Sequence, residues 1–237
     1  MPDKSTPAEI RARFDADVER FSNLETGQTA TMDSLLVLEL VTQAAAAATP
    51  RAHRVLDVGC GAGNYSLKLL QRLPGLDVTL VDLSRPMLDR ALERVGAATR
   101  GAVTAIQLDV RDYDPGPARF DVILAAAVLH HLRAEAEWQA TFARFFAALR
   151  PGGSLWIADL VSHEPPAVQA MLWARYGDYL AAQQDEAYRD RVFAYVEKED
   201  TPRSLIFQLD ALRAAGFAQV EVLHKHGPFA AFGAMKG

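Results

Sequence analysis

Between residues 51 and 160 five short apolar runs alternate with helical patterns, and this alternation limits the fold more than any other feature. The runs cover residues 54–58, 78–81, 103–108, 120–127 and 154–158. Between them, apolar residues recur at three- and four-residue steps, as on one face of a helix. Met87, Leu88, Ala91, Leu92 and Val95 form one such stripe, and Trp138, Phe142, Phe145 and Leu149 another. Pro74-Gly75 and Pro151-Gly152-Gly153 punctuate the pattern as turns. A parallel strand pair needs a crossover connection, and helices in that role cover both faces of the sheet.

The flanks are mainly helical. Ile10, Phe14, Val18 and Phe21 share one helical face, and a second helix starts at Leu35 and runs through the alanines to Pro50. The polar stretch 23–33 between them reads as flexible. Residues 161–200 carry an aromatic helical face through Trp173, Tyr176 and Tyr179, and a further helix covers 202–215. Two strands at 219–224 and 229–234, joined through Gly227-Pro228, predict an antiparallel hairpin at the sheet edge. The expected division is an N-terminal helical cap over 1–50 and a main domain over 51–237 with a helical insertion at 161–200.

Composition excludes several classes. With 237 residues, 50% of them hydrophobic and 23% charged, the chain can bury a core without covalent staples. The single cysteine, Cys60, allows no intrachain disulfide and no cysteine zinc site, which fits the cytoplasm. A net charge of −5 argues against a broad nonspecific nucleic-acid surface. No apolar run approaches the roughly 20 residues of a membrane span, and the first residues lack the apolar core of a signal peptide.

The chemistry gathers at the carboxyl ends of the predicted strands, where open parallel sheets bind ligands. In Val-Leu-Asp-Val-Gly-Cys-Gly-Ala-Gly, residues 55–63, a buried strand runs into three glycines and then a helix. Glycines let a backbone approach a ligand closely. Asp57, just before them, suits an ammonium group and would repel a pyrophosphate. Asp82 ends the second strand 19 residues after Gly63, where a carboxylate can accept both hydroxyl protons of a ribose. Asp109 follows the third strand and can accept from an adenine amino group while the Val110 N–H donates to a ring nitrogen. Ala125–Ala127 leave room beside a ligand, and His130 or His131 can stand near the reacting atoms as a general base. Each feature alone also has a plain structural use as a turn, a cap or a core group.

Taken together in this order, the features resemble the class I S-adenosylmethionine (SAM) dependent methyltransferases over roughly residues 54–158. The resemblance implies a doubly wound, Rossmann-like α/β fold, a seven-stranded, mostly parallel sheet with an antiparallel last strand. The helical segments 1–50 and 161–200 would cover it. It also implies that Gly59, Cys60, Gly61 and Gly63 hold the methionine part of SAM, Asp82 the ribose and Asp109 the adenine. Leu83, Met87 and Val110 join that wall, and Ala126 sits beside the sulfonium. The expected function is methyl transfer to an oxygen or nitrogen of a small-molecule acceptor.

The start and the end of the chain are also similar to the carboxy-SAM synthase branch, which serves wobble-uridine modification in tRNA. Arg191 is the nearest match to that branch's carboxylate-binding arginine. The branch's asparagine after the fourth strand is Ala126 here, and its tyrosine has no counterpart near Thr29. Ordinary SAM is therefore the expected cofactor, with a synthase or tRNA-modification role as one alternative and a noncatalytic SAM-binding module as another. A nicotinamide oxidoreductase fits less well, because the glycine spacing is G-x-G-x-G and Asp57 opposes a pyrophosphate. Phe14, Phe21, Trp173, Tyr176 and Tyr179 are candidates for an acceptor wall, and the amphipathic N-terminal helices for a homodimer contact. Cys60 reads as a small buried filler, His224 and His226 as a surface pair with no metal, and residues 197–200 as a solvated turn.

Overall fold

The computed structural model describes residues 4–23 and 28–237. The sequence reading of a flexible stretch over 23–33 falls partly on 24–27, which lie outside the described residues. Seven strands, β1 (Arg54–Val58), β2 (Asp77–Asp82), β3 (Val103–Gln107), β4 (Phe120–Ala126), β5 (Leu149–Leu160), β6 (Gln219–His226) and β7 (Phe229–Met235), form one sheet in the order β3-β2-β1-β4-β5-β7-β6. The first five run parallel, while β7 is antiparallel to both β5 and β6. Strand order reverses between β1 and β4, and ligands of open α/β sheets bind at such a crevice.

Side-chain alternation along the strands builds two cores. On β4, Val122 and Leu124 face one layer while Ile123 and Ala125 face the other. The first layer holds α3 (Ser34–Ala48), α4 (Asn64–Leu70) and α5 (Arg85–Ala98), through Val37, Val41, Leu69, Leu88 and Val95. The second holds α6 (Glu135–Ala148) and α9 (Leu205–Ala214), through Trp138, Phe142, Phe145 and Leu212. A strand buried on both faces reads as a continuous apolar run, as these do in the sequence. Helix α3, which sequence alone groups with the cap, is therefore part of the sandwich: Val41 is 1% exposed and Ala45 fully buried beneath it.

Two long helical expectations break. The N-terminal one divides at Asp17 into α1 (Pro7–Ala16) and α2 (Val18–Ser22), with Asp17 taking the side chains of Arg13 and Arg20. The 161–200 segment divides into α7 (Pro166–Gln183) and α8 (Glu186–Glu199), because Asp185 caps the second helix by accepting the Tyr188 N–H at 2.6 Å. Pro151-Gly152-Gly153 is not a turn ahead of a strand but a bulge inside β5, where the register jumps from Phe120↔Leu149 to Val122↔Ser154. Its extra backbone groups pair with Lys236, each at 2.9 Å. Helices α7 and α8 close over the carboxyl edge of the sheet with a small core of their own, Met32, Tyr176 and Leu180. Among the described residues no helix is long and apolar enough to cross a membrane.

Candidate functional site

A cavity of about 780 Å³ opens at the carboxyl ends of the parallel strands, within the range of about 300–1,000 Å³ typical of small-ligand sites. Its floor is the loop after β1 and its sides are Asp82, Asp109, Ala126 and Asp159 from the ends of β2 to β5. Helices α1, α2 and α8 and residues 28–31 form the cover.

Of the residues singled out by sequence, Asp57, Gly59, Cys60, Gly61, Asp82, Leu83, Met87, Asp109, Val110, Ala126, His130 and His131 all line this cavity. Gly63 does not. It starts α4, and a Cβ there would meet Val95 at 2.9 Å, so its place is close packing of α4 on α5. Phe14, Phe21 and Tyr176 also reach the wall. Trp173 and Tyr179 do not: Trp173 stacks on Phe193, and Tyr179 stacks on Tyr176 and donates to the Thr29 carbonyl at 3.0 Å.

The acids are held in place by hydrogen bonds. Asp57 is 1% exposed and accepts the Ser66 hydroxyl at 2.6 Å. Burial pushes its carboxyl up to about 7 against that bond, and the Asp82 charge adds to the rise. Asp82 accepts the Gly61 N–H on one oxygen and the Ser84 N–H on the other, each at 2.8 Å, which orients the carboxylate at the strand end. Burial raises its pKa despite those donors. Asp109 is forked by the Arg111 guanidinium at 2.8 and 2.5 Å. Burial pulls its carboxyl upward, but Arg111 outweighs that and holds it below the ordinary range.

The glycine loop is tightly built. Gly59 has φ +65°, and a Cβ there would lie 2.5 Å from the Val128 Cβ; at Gly61, with φ +49°, a Cβ would meet nothing within 4 Å. Cys60 commits its N–H to the Val81 carbonyl at 3.1 Å, and burial pushes its thiol well above the ordinary range, so it is a filler and no nucleophile.

The histidines differ from each other. His130 sits between two carboxylates, with Nδ1 on Asp159 and Nε2 3.6 Å from Asp200. Burial opposes its charge, yet Asp159 and Asp200 prevail and raise its pKa to about 9. His131 points Nδ1 at the Asp200 carboxylate at 3.3 Å and the Glu199 carbonyl at 3.4 Å. Burial and the neighbouring His130 charge lower its pKa. Both facing groups are acceptors, so the proton belongs on Nδ1 and the lone pair on Nε2. That Nε2 is buried with no hydrogen-bond partner among the described residues.

Sequence reasoning missed three contributors. Residues 197–200 are not a solvated turn: Glu199 and Asp200 are 6% and 4% exposed. Glu199 takes Arg13 of α1 in a fork at 2.9 to 3.1 Å, and Asp200 lies under the histidines. Asp159 stands one residue before the end of β5 and interrupts the apolar run 155–161, and that lone acid was the signal available. The third contributor is α8, which brings Tyr188 and Tyr195 to the wall. Arg191, singled out earlier, is there too, and its only charged or aromatic contact among the described residues is the Tyr188 ring at 5.8 Å.

A family profile described as a methyltransferase domain matches residues 56–155. The carboxy-S-adenosyl-L-methionine synthase of Chromohalobacter salexigens is 31% identical over 192 residues, 78% of this chain and 68% of that one. The chain belongs to the class I SAM-dependent methyltransferases. The trans-aconitate 2-methyltransferase of Paracidovorax citrulli is 36% identical over 121 residues, 51% of this chain and 44% of that one. The chain spans about half the length of most of the curated relatives it matches. Among solved structures, the 1,6-didemethyltoxoflavin-N1-methyltransferase of Burkholderia thailandensis, with S-adenosylhomocysteine bound, shares the fold at TM-score 0.63 and 23% identity, over 100% of this chain and 92% of that one.

Proposed function

We propose that this protein transfers the methyl group of SAM to an oxygen or nitrogen of a small organic anion. One observation carries the proposal. A single cavity joins three acids at the ends of β1, β2 and β3 to a covered, aromatic wall that holds Arg191, which makes no ion pair among the described residues. The acids suit SAM: Asp57 for its ammonium, Asp82 for its ribose hydroxyls and Asp109 for its adenine amino group, with open space over Gly61 for the methionine part. When bound, SAM supplies a methyl already activated on a sulfonium.

The protein's own part is positioning and exclusion of water. Ala126 and Ala127 keep the end of β4 small beside the transfer point. Arg13 and Arg20 on the wall are each paired with an acid. Arg191 has no carboxylate within ion-pair distance among the described residues and is left to receive an anionic group of the acceptor. An acceptor carboxylate needs no base. For a hydroxyl or a protonated amine, His131 Nε2 takes the proton, while His130 already holds its own at neutral pH and serves to fix Asp159 and Asp200. The name of the trans-aconitate methyltransferase relative supports the acidic acceptor.

A second reading is favoured by the same arginine and by the synthase relative: Arg191 would bind a carboxylate on the cofactor itself. Native mass spectrometry of the purified protein, with transfer from methyl-labelled SAM to a panel of small di- and tricarboxylic acids, separates the two. Labelled product with SAM or S-adenosylhomocysteine retained supports methyl transfer. A retained ligand heavier by one carboxyl group supports the second reading.

A further inference from the structure

The histidine pair on β6 is joined by an acid that the fold brings from 191 residues away. His224 and His226 stand two residues apart on a strand, so both project from the same face. Asp33 precedes α3 with φ 56°, and its side chain does not cap the helix. Instead one oxygen, Oδ2, receives both rings, His224 Nε2 at 2.9 Å and His226 Nδ1 at 2.8 Å. All three ligand atoms lie within 4.8 Å of one another. The rings are nearly perpendicular, at 86°.

We propose that Asp33, His224 and His226 bind a divalent cation of the zinc class. Two imidazoles and a carboxylate match zinc, nickel or cobalt better than magnesium or calcium, which take oxygen ligands. Ligand atoms about 2.0–2.2 Å from one zinc ion lie only slightly farther apart than Asp33 Oδ2 now lies from each ring nitrogen, 2.9 and 2.8 Å. The side chains are 36%, 22% and 48% exposed for Asp33, His224 and His226, so an ion enters from solvent and water completes its shell.

The position gives the ion a consequence. Asp33 closes the segment 28–33, from which Gln28, Ala30 and Thr31 line the cavity. One side of that segment is already fastened to α7, where the Tyr176 and Tyr179 hydroxyls donate to the Ala30 and Thr29 carbonyls at 2.8 and 3.0 Å. Met32 packs under Gly227 of the β6–β7 turn. An ion at Asp33 fastens the other side to β6 and so braces the cover from outside the cavity.

The test is calorimetric titration of the untagged full chain with zinc chloride, repeated on Asp33→Ala and on the double variant His224→Gln with His226→Gln. Cobalt absorption serves as an independent readout. Circular dichroism and metal-free thermal melting check that each variant is folded. The expected result is one equivalent bound in the micromolar range, weakened about 100-fold or more in both variants, since even outer-shell partners of a metal are worth about 10–100-fold. The proposal is overturned if the wild type takes up no zinc or cobalt in that range, or if the variants bind as it does. It is equally overturned if binding survives the double variant and is lost in His131→Gln, which would place the ion on His130, His131 and Asp200.

Discussion

At the residue scale, the site rests on carboxylates that a folded core would not keep without a use. Asp82 is the sharpest case, because its backbone donors leave lone pairs free toward the cavity. Asp82→Ala should weaken SAM binding about 10- to 100-fold, the loss of charge-assisted hydrogen bonds worth about 1.5–3 kcal/mol, measured by calorimetry on folded protein. Burial pushes the Asp57 carboxyl up to about 7. The ligand's ammonium stabilises its charged form, so binding near pH 7 should release a proton. Calorimetric enthalpies should then vary with the ionisation enthalpy of the buffer, and an enthalpy independent of buffer would detach Asp57 from the ammonium.

His130 gives the opposite kind of readout. Its folded pKa, about 9, lies above the ordinary 6.5, so its stabilising charge is complete below pH 6.5 and is lost as pH rises through 9. Melting temperature should fall across that window in the wild type, and less in His130→Gln. Arg191→Ala should raise the KM for the acidic acceptor about tenfold or more, for the same charge-assisted bonds, and leave SAM affinity unchanged. A loss of cofactor affinity instead would favour the carboxylated cofactor.

At the scale of elements, what could be seen in the sequence was what one element decides by itself. The five parallel strands were legible because burial on both faces makes each an unbroken apolar run, and the acids at their ends stood out against it. The cover was less legible. Asp185 breaks a helical pattern with a local capping bond, and periodicity does not register that. Glu199 and Asp200 looked like a solvated charge run because their partners, Arg13 and the two histidines, come from the far end of the chain and from the turn after β4. For the same reason the histidine pair on β6 gave no hint of Asp33. Two glycines test how closely the loop is fitted. Gly59→Ala should destabilise the fold strongly, since its Cβ would meet Val128 at 2.5 Å. Gly61→Ala should cost only the left-handed backbone, about 1–2 kcal/mol, because its Cβ enters open space. Thermal melting that ranks Gly61→Ala as the worse of the two would contradict this geometry.

At the scale of the molecule, a rigid sheet presents its acids on one edge, and a second, smaller core of aromatic helices closes over them. Hydrogen bonds join the two parts, Ser84 Oγ to Asp15 at 2.6 Å and Asn64 to the Phe21 carbonyl at 2.8 Å among them, and an ion pair ties the cover together within itself. Arg13 of α1 is held by the buried Glu199 of α8, and Arg13→Ala, leaving that carboxylate uncompensated, should cost about 3 kcal/mol in chemical denaturation. The division of labour explains why a cofactor half is readable from strand ends while the acceptor half depends on how the cover docks.

The most direct test of the whole is calorimetric titration of the purified protein with SAM, S-adenosylhomocysteine and NAD in parallel. The expected result is one equivalent of SAM or S-adenosylhomocysteine bound in the micromolar range, and no heat with NAD. Folded protein that binds neither SAM nor S-adenosylhomocysteine, or that binds NAD in their place, would contradict the assignment of Asp57, Asp82 and Asp109 to that cofactor.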